Sequence, residues 1–473
     1  MLNNFKYLIS FIILFCSIFI GFCVFASANH LEIIYPHNNA IIRANSTFFI
    51  GNTNPKATLT INGQSAKVYA NGAFVRVFNL NKGKNTIELK SVLNNDIKIK
   101  KITLTVPEAA KASTNKEPFK ECYQTLIVTS DETPLRTTPY GDRLTPVKKG
   151  VIFNSIGTIN NHYKIKLNEN KYAYIIKNSS QIYDKEYIKE QKLNQIFFDE
   201  DSKYIIIKIP VKQAALTEIN TNLSKISVRL MNTDLNFKNY IIKSPYIKIF
   251  NFAQDTFNIT LSSTNLNGYD YYYKDNNFIL KIRKPFSSGL RGKTIVIDPG
   301  HGGKECGSIG PTGVPEKDIN LSISKYLQEA LEKKGATVIM TRYKDEYVDL
   351  YERVKIAQIA DADIIISIHN NALPDGGNPY ITHGTTTYYY HAQAIKLATS
   401  VQNNLLKATG FNNLGIKHSS LVLTRPTLPI GILVEVGFMI NPFEYEKLLM
   451  PSNQKAYAIG ILNGLEEYFN LQN

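Results

Sequence analysis

Thr294-Ile295-Val296-Ile297-Asp298-Pro299-Gly300-His301-Gly302-Gly303 decides the fold. An uninterrupted β-branched run of this length predicts a strand buried on both faces, as in a parallel sheet. The Asp-Pro-Gly-His-Gly-Gly that follows ends the strand, and its glycines let the backbone pass close to a ligand. Downstream, Ile319, Ile323, Leu327, Ala330 and Leu331 recur at helical spacing and stop at Gly335, which predicts a helix from 318 with a glycine just past its end. Strands are expected at 337–340, 364–368, 385–390 and 432–436, and helices at 350–360, 392–409, 442–449 and 452–468. Such alternation predicts an α/β domain over 291–473, a mostly parallel sheet covered by helices with any ligand site at the strand C-termini.

Upstream the pattern is all-β, so the chain as a whole reads as multidomain, which its 473 residues allow. Short β-rich runs with Asn62-Gly63 and similar turns predict a β-sandwich-like unit over 29–107. An aperiodic stretch rich in Ala, Lys, Glu and Ser makes 108–120 a linker. With Pro134-Leu135-Arg136, a Lys148-Lys149-Gly150 turn and closing strands near 163–167 and 172–176, residues 121–184 resemble a bacterial SH3-like module, and 185–290, whose spaced strands close on Gly268-Tyr269 and Asn277-Phe278-Ile279-Leu280, resemble an all-β envelope-targeting domain. Residues 1–28 combine Lys6, an uncharged run from Tyr7 to Phe25 and Ala26-Ser27-Ala28, the layout of a secretory signal peptide cut after Ala28. The run approaches the ~20 residues that span a bilayer, so an uncleaved anchor stays open. The expected location is therefore exported, in a periplasm, a cell wall or the medium. Only Cys122 and Cys306 lie beyond that leader, in different expected units, so no disulfide framework is implied.

The net charge of +15 is unevenly placed: residues 1–291 hold 38 Lys/Arg against 21 Asp/Glu, and residues 292–473 hold 16 against 18. The basic part could meet an anionic envelope surface, while export and the lack of a binding motif exclude nucleic acid as a partner.

At the expected strand ends stand His301, His369 and Glu435, with Glu316 just before the first helix. Two imidazoles and a carboxylate are a three-ligand set for Zn2+ that leaves one coordination position open for water, so His301, Glu316 and His369 are the candidate metal ligands. Glu435 lies between Val434 and Val436, where an ionised carboxylate is costly to bury without a partner; it is the candidate general base, passing a proton from water to a leaving amine. Asn371 is a candidate substrate contact. Arg342 and Arg353 are expected to pair with Asp345 or Asp349, and His383, His391 and His418 to be polar rim residues.

Ile297 to Gly303, Glu316-Lys317-Asp318, Thr341-Arg342, Ser367-Ile368-His369-Asn370-Asn371-Ala372, Val434-Glu435-Val436-Gly437-Phe438 and Asn441 together resemble the zinc-dependent N-acetylmuramoyl-L-alanine amidase family, type 3 catalytic domain. The resemblance implies a peptidoglycan hydrolase that cuts the amide between N-acetylmuramic acid and L-alanine, with His301, Glu316 and His369 at the family's zinc ligands and Glu435 at its catalytic glutamate. Leu414 stands where the family frequently has Arg, and 372–383 is too short for the blocking helix some relatives insert. A non-catalytic peptidoglycan-binding protein on the same fold is the alternative; the need for a protein activator is not legible.

Overall fold

The computed structural model describes residues 28–108, 118–242 and 244–471. The expected leader lies outside them except for its last residue, as does most of the expected linker. Among the described residues no helix is long and apolar enough to cross a membrane.

The described residues before 291 are strand-rich. Residues 31–106 form a three-stranded sheet (Leu31–Tyr35, Ser46–Thr53, Ala73–Asn79) and a five-stranded one facing it, around Phe49, Phe74, Leu59, Leu89 and Leu104. Residues 120–182 form one six-stranded sheet, and two four-stranded sheets between residues 197 and 283 enclose Ile205, Ile207, Phe257 and Phe278. Between residues 197 and 283 buried and more accessible side chains alternate, as in Tyr204–Pro210 and Thr256–Leu261, the period-two pattern of sheets wetted on one side, whereas Thr47 to Gly51 in the first unit are buried on both faces.

The C-terminal third is a sheet with helices. Its strands are β1 (Thr294–Pro299), β2 (Thr337–Met340), β3 (Ile364–Asn371), β4 (Thr385–Tyr389), β5 (Asn413–His418) and β6 (Ile430–Phe438), in the order β2-β1-β3-β6-β4-β5. β1 runs parallel to β2 and β3, β3 parallel to β6, and β4 parallel to β5, but β4 joins β6 antiparallel. The sheet is therefore mixed. A loop of about a dozen residues replaces the helical crossover before β4, so the chain returns down the sheet instead of crossing over it. Helices α1 (Glu316–Lys333), α2 (Leu350–Ile359), α3 (Ile395–Thr409), α4 (Pro442–Leu448) and α5 (Pro451–Asn470) cover the sheet. Ile295, Ile297, Ile364, Ile366, Ile432 and Val434 pack with Ile323, Leu327, Val401 and Leu465 into one core from which water is excluded.

The all-β units attach at two ends of this sheet. Near the start of β3, Asp363 takes two hydrogen bonds from the Arg283 guanidinium at 2.6 and 3.0 Å and one from the Thr294 N–H at 2.9 Å, while Lys203 and Tyr204 both reach Asp361. At the far end, Phe48, Ile50 and Val75 of the first unit pack on Phe438 and Ile440 just past Glu435. Leu414 joins that cluster, so its aliphatic side chain has a packing role in this chain.

Candidate metal centre and catalytic carboxylate

His301 follows β1 with φ of 60°, a left-handed conformation that turns its ring back over the sheet end. His369 sits near the end of β3 and Glu316 is the first residue of α1. The structure brings the two imidazoles and the carboxylate together: one donor atom from each lies within 4.8 Å of the others. His369 Nδ1 is 2.9 Å from Glu316 Oε1, His301 Nε2 is 3.3 Å from Glu316 Oε2, and the rings meet edge to face at 4.8 Å.

The carboxylate of Glu316 is fixed from several sides. Oε1 accepts from the Asn370 N–H at 3.1 Å and from Asn320 Nδ2 at 3.1 Å, and Oε2 accepts from the Ser308 N–H at 2.9 Å. Burial favours its neutral form, but the hydrogen bonds and charge of the two histidines outweigh that and hold it well below the usual carboxylate range. Conversely, His301 is raised: burial works against its charged form, and Glu316 overcomes it. Two glycines make the approach possible. A Cβ on Gly300 would lie 2.2 Å from the His369 ring, and one on Gly307, at φ of 68°, 2.5 Å from Glu316 Oε2.

Behind this group Asp298 is buried and accepts from Thr341 Oγ1 at 2.5 Å, Ser367 Oγ at 2.6 Å and Arg353 Nη1 at 2.7 Å. Arg353 also donates to the His301 carbonyl at 2.8 Å, which ties the ion pair to the loop carrying that ligand. The expectation for the arginines is corrected here. Arg353 pairs with Asp298, and Arg342 donates to the carbonyls of Pro299, Gly300, Lys317 and Lys344. Both are nearly inaccessible, so they reach the chain inside the fold and leave Asp345 to Lys317 and the Gly303 N–H.

Glu435 lies on β6 in register with His369 on β3 and with Thr386 on β4. Its Oε2 is buried without a hydrogen-bond partner, and burial together with the charge of Glu316 pushes it well above the usual carboxylate range. An orphaned carboxylate oxygen beside two imidazoles and a second carboxylate is an energetic liability that a cation and water at this rim would relieve. Donors roughly 2.0–2.1 Å from a tetrahedral zinc stand about 3.3 Å apart; the His301–Glu316 and His369–Glu316 separations of 3.3 and 2.9 Å lie near that, and the whole set falls within 4.8 Å. The donor set fits zinc.

Asn371 ends β3; its side chain accepts from the Ala372 N–H at 2.8 Å and hydrogen-bonds Tyr388. His383 pairs with the buried Glu444 at 2.8 Å, His391 with the Arg425 carbonyl at 2.7 Å, and His418 stacks on Tyr390, all outside the donor group. The sequence reading missed Asn320, which fixes Glu316 from one turn along the same helix. Its signal was a polar residue, four after Glu316, beside the apolar face of Ile319 and Ile323.

Residues 295–467 match the family model described as N-acetylmuramoyl-L-alanine amidase. The chain is 34% identical over 212 residues to the probable cell wall amidase LytH of Staphylococcus aureus, covering 44% of this chain and 69% of that protein. It is likewise 34% identical over 186 residues to the uncharacterized protein YqiI of Bacillus subtilis, 38% of this chain and 87% of that one. Among solved structures, the amidase AmiC2 of Nostoc punctiforme is 35% identical, matched over 40% of this chain and 100% of its own, with a TM-score of 0.36. The chain belongs to the N-acetylmuramoyl-L-alanine amidase family.

Proposed function

We propose that this protein is an exported, zinc-dependent peptidoglycan hydrolase that cuts the amide joining the lactyl group of N-acetylmuramic acid to L-alanine. The observation that carries the reading is the convergence of His301, Glu316 and His369 on one strand-end rim, inside the family-matched region, with Glu435 beside them. His301, Glu316 and His369 would hold the ion. Bound there, zinc supplies the Lewis acid that polarises the scissile carbonyl and acidifies the attacking water. Glu435 takes a proton from the attacking water and delivers one to the nitrogen of L-alanine as the C–N bond breaks; its buried, unpartnered Oε2 supports this role. Asn320, Asn370 and the Ser308 N–H keep Glu316 aimed, and the Asp298–Arg353 pair keeps the His301 loop in place. Asn371 is assigned to substrate contact.

In this reading residues 1–28 are a leader, 29–107, 121–184 and 185–290 are three envelope modules separated after the first by a linker at 108–120, and 291–473 is the catalytic domain. The basic excess before residue 292 supports attachment to an anionic wall or lipid surface. Digestion of purified sacculi followed by mass spectrometry tests the assignment: free stem peptides starting at L-alanine, with glycan strands left intact, are expected. Release of sugar fragments, or of nothing with zinc supplied, would overturn it.

A further inference from the structure

Between the first β unit and the catalytic rim lies a cavity of about 380 Å3. One wall comes from Ile34, Phe48 and Ile50, the other from Ile309, Leu373 and Ile440, with Ser308 and Asp375 among its polar residues and His37 exposed at its edge. It borders the loops that carry the candidate metal ligands. Ser308 both lines it and holds Glu316 through its N–H, and Ala372 lines it three residues past His369 along the same extended segment.

The two walls are held together by specific contacts. Tyr35 and Thr47 each donate a hydroxyl to Asp375 Oδ1 at 2.7 Å, the Gly376 N–H donates to the Ser46 carbonyl at 2.9 Å, and Tyr380 donates to the Val75 carbonyl at 2.6 Å. The rim loop after His369 is thus clasped by the first unit, and the half-buried Asp375 carboxylate is fixed at the cavity wall.

We propose that this cavity is a subsite for the peptide arm of the substrate, receiving a side chain with an aliphatic stem and a terminal ammonium; the proposal rests on the amidase reading. The chemistry selects this occupant. The mostly aliphatic and aromatic lining offers a sugar few hydrogen bonds, and the Ser308 N–H is already committed. Apolar surface with one fixed carboxylate suits a side chain that buries methylenes and keeps its cation at a charge. Distance selects the position. At about 3.3 Å per extended residue, Ala372 lies no more than roughly 10 Å from His369, a span that up to three extended peptide residues cover. The third residue of the stem peptide, a diamino acid, is the one that meets Asp375. The first β unit is then part of the specificity site as well as a module beside it.

The test uses the full chain with muramoyl tripeptides that carry lysine or norleucine at the third position, measured both as cleavage and as equilibrium binding. The wild type is expected to favour lysine about tenfold in kcat/KM and in affinity. Asp375→Asn, which keeps an acceptor for Tyr35 and Thr47, is expected to erase that preference, and Ile34→Trp, which fills the cavity from a half-exposed position, to weaken both peptides alike. Equal handling of the two peptides by the wild type, or an unchanged preference in Asp375→Asn, overturns the subsite. Binding that discriminates while no amide is cut supports the subsite and defeats the amidase reading instead.

Discussion

Gly300→Ala is the most direct perturbation of the candidate metal centre, because it changes none of the proposed ligands. The added methyl would sit 2.2 Å from Cε1 and Nε2 of His369. Ordinary contact begins near 3.4 Å, so ring and backbone must separate by about 1.2 Å. Zinc–nitrogen distances tolerate only about ±0.2 Å, and disturbing even an outer partner of a ligand costs roughly 10- to 100-fold in affinity. The variant is expected to bind zinc at least about 100-fold more weakly and to lose stem-peptide release in proportion. Competition with a chromogenic chelator gives the affinity, and thermal unfolding of the metal-free protein separates a displaced ligand from a broken fold. Wild-type zinc affinity in a folded Gly300→Ala protein would refute the assignment of His369 and the account of why glycine stands before His301.

Glu435→Gln is expected to keep zinc while turnover drops by about 10² to 10⁴, the usual worth of a general base; its metal-free form should melt no lower than wild type, since the buried Oε2 has no partner to lose. Arg353→Leu strands the Asp298 carboxylate and is expected to cost about 3–5 kcal/mol, read as a shifted urea midpoint. Acid should act through the same pair. Burial raises the Asp298 pKa, but Arg353, Ser367 and Thr341 bring it below the ordinary aspartate value. Its contribution is therefore complete above about pH 4 and lost as pH falls through the lower folded value, so stability measured from pH 5 downward should decline less steeply in Asp298→Asn. Arg283→Ala is expected to loosen residues 191–283 from the sheet and expose 284–292 to limited proteolysis, while zinc content stays unchanged.

Much of the site was legible because its residues interrupt strong patterns. Glu435 inside a valine strand, and glycines around a histidine at a strand end, are expensive placements with a narrow chemical purpose. The helices and central strands announced themselves by period and length. What the pattern could not carry were relations between elements. Nothing in 385–390 says that β4 runs antiparallel to β6, because a strand buried on both faces reads the same in either direction. Arg342 and Arg353 had acids nearby in sequence, yet most of their partners are a carboxylate and carbonyls 25 to 55 residues away, set by tertiary packing. Leu414 read as a missing arginine because its neighbours, Phe48, Ile50 and Val75, lie more than 300 residues earlier.

The seam between Phe48, Ile50 and Val75 and the pair Phe438 and Ile440 bears on how the molecule can be divided. A fragment comprising only the last third would turn that oily face toward water a few residues from Glu435. Such a fragment is expected to self-associate through the very edge that must admit substrate, so its sluggishness would report a plugged doorway rather than weak chemistry.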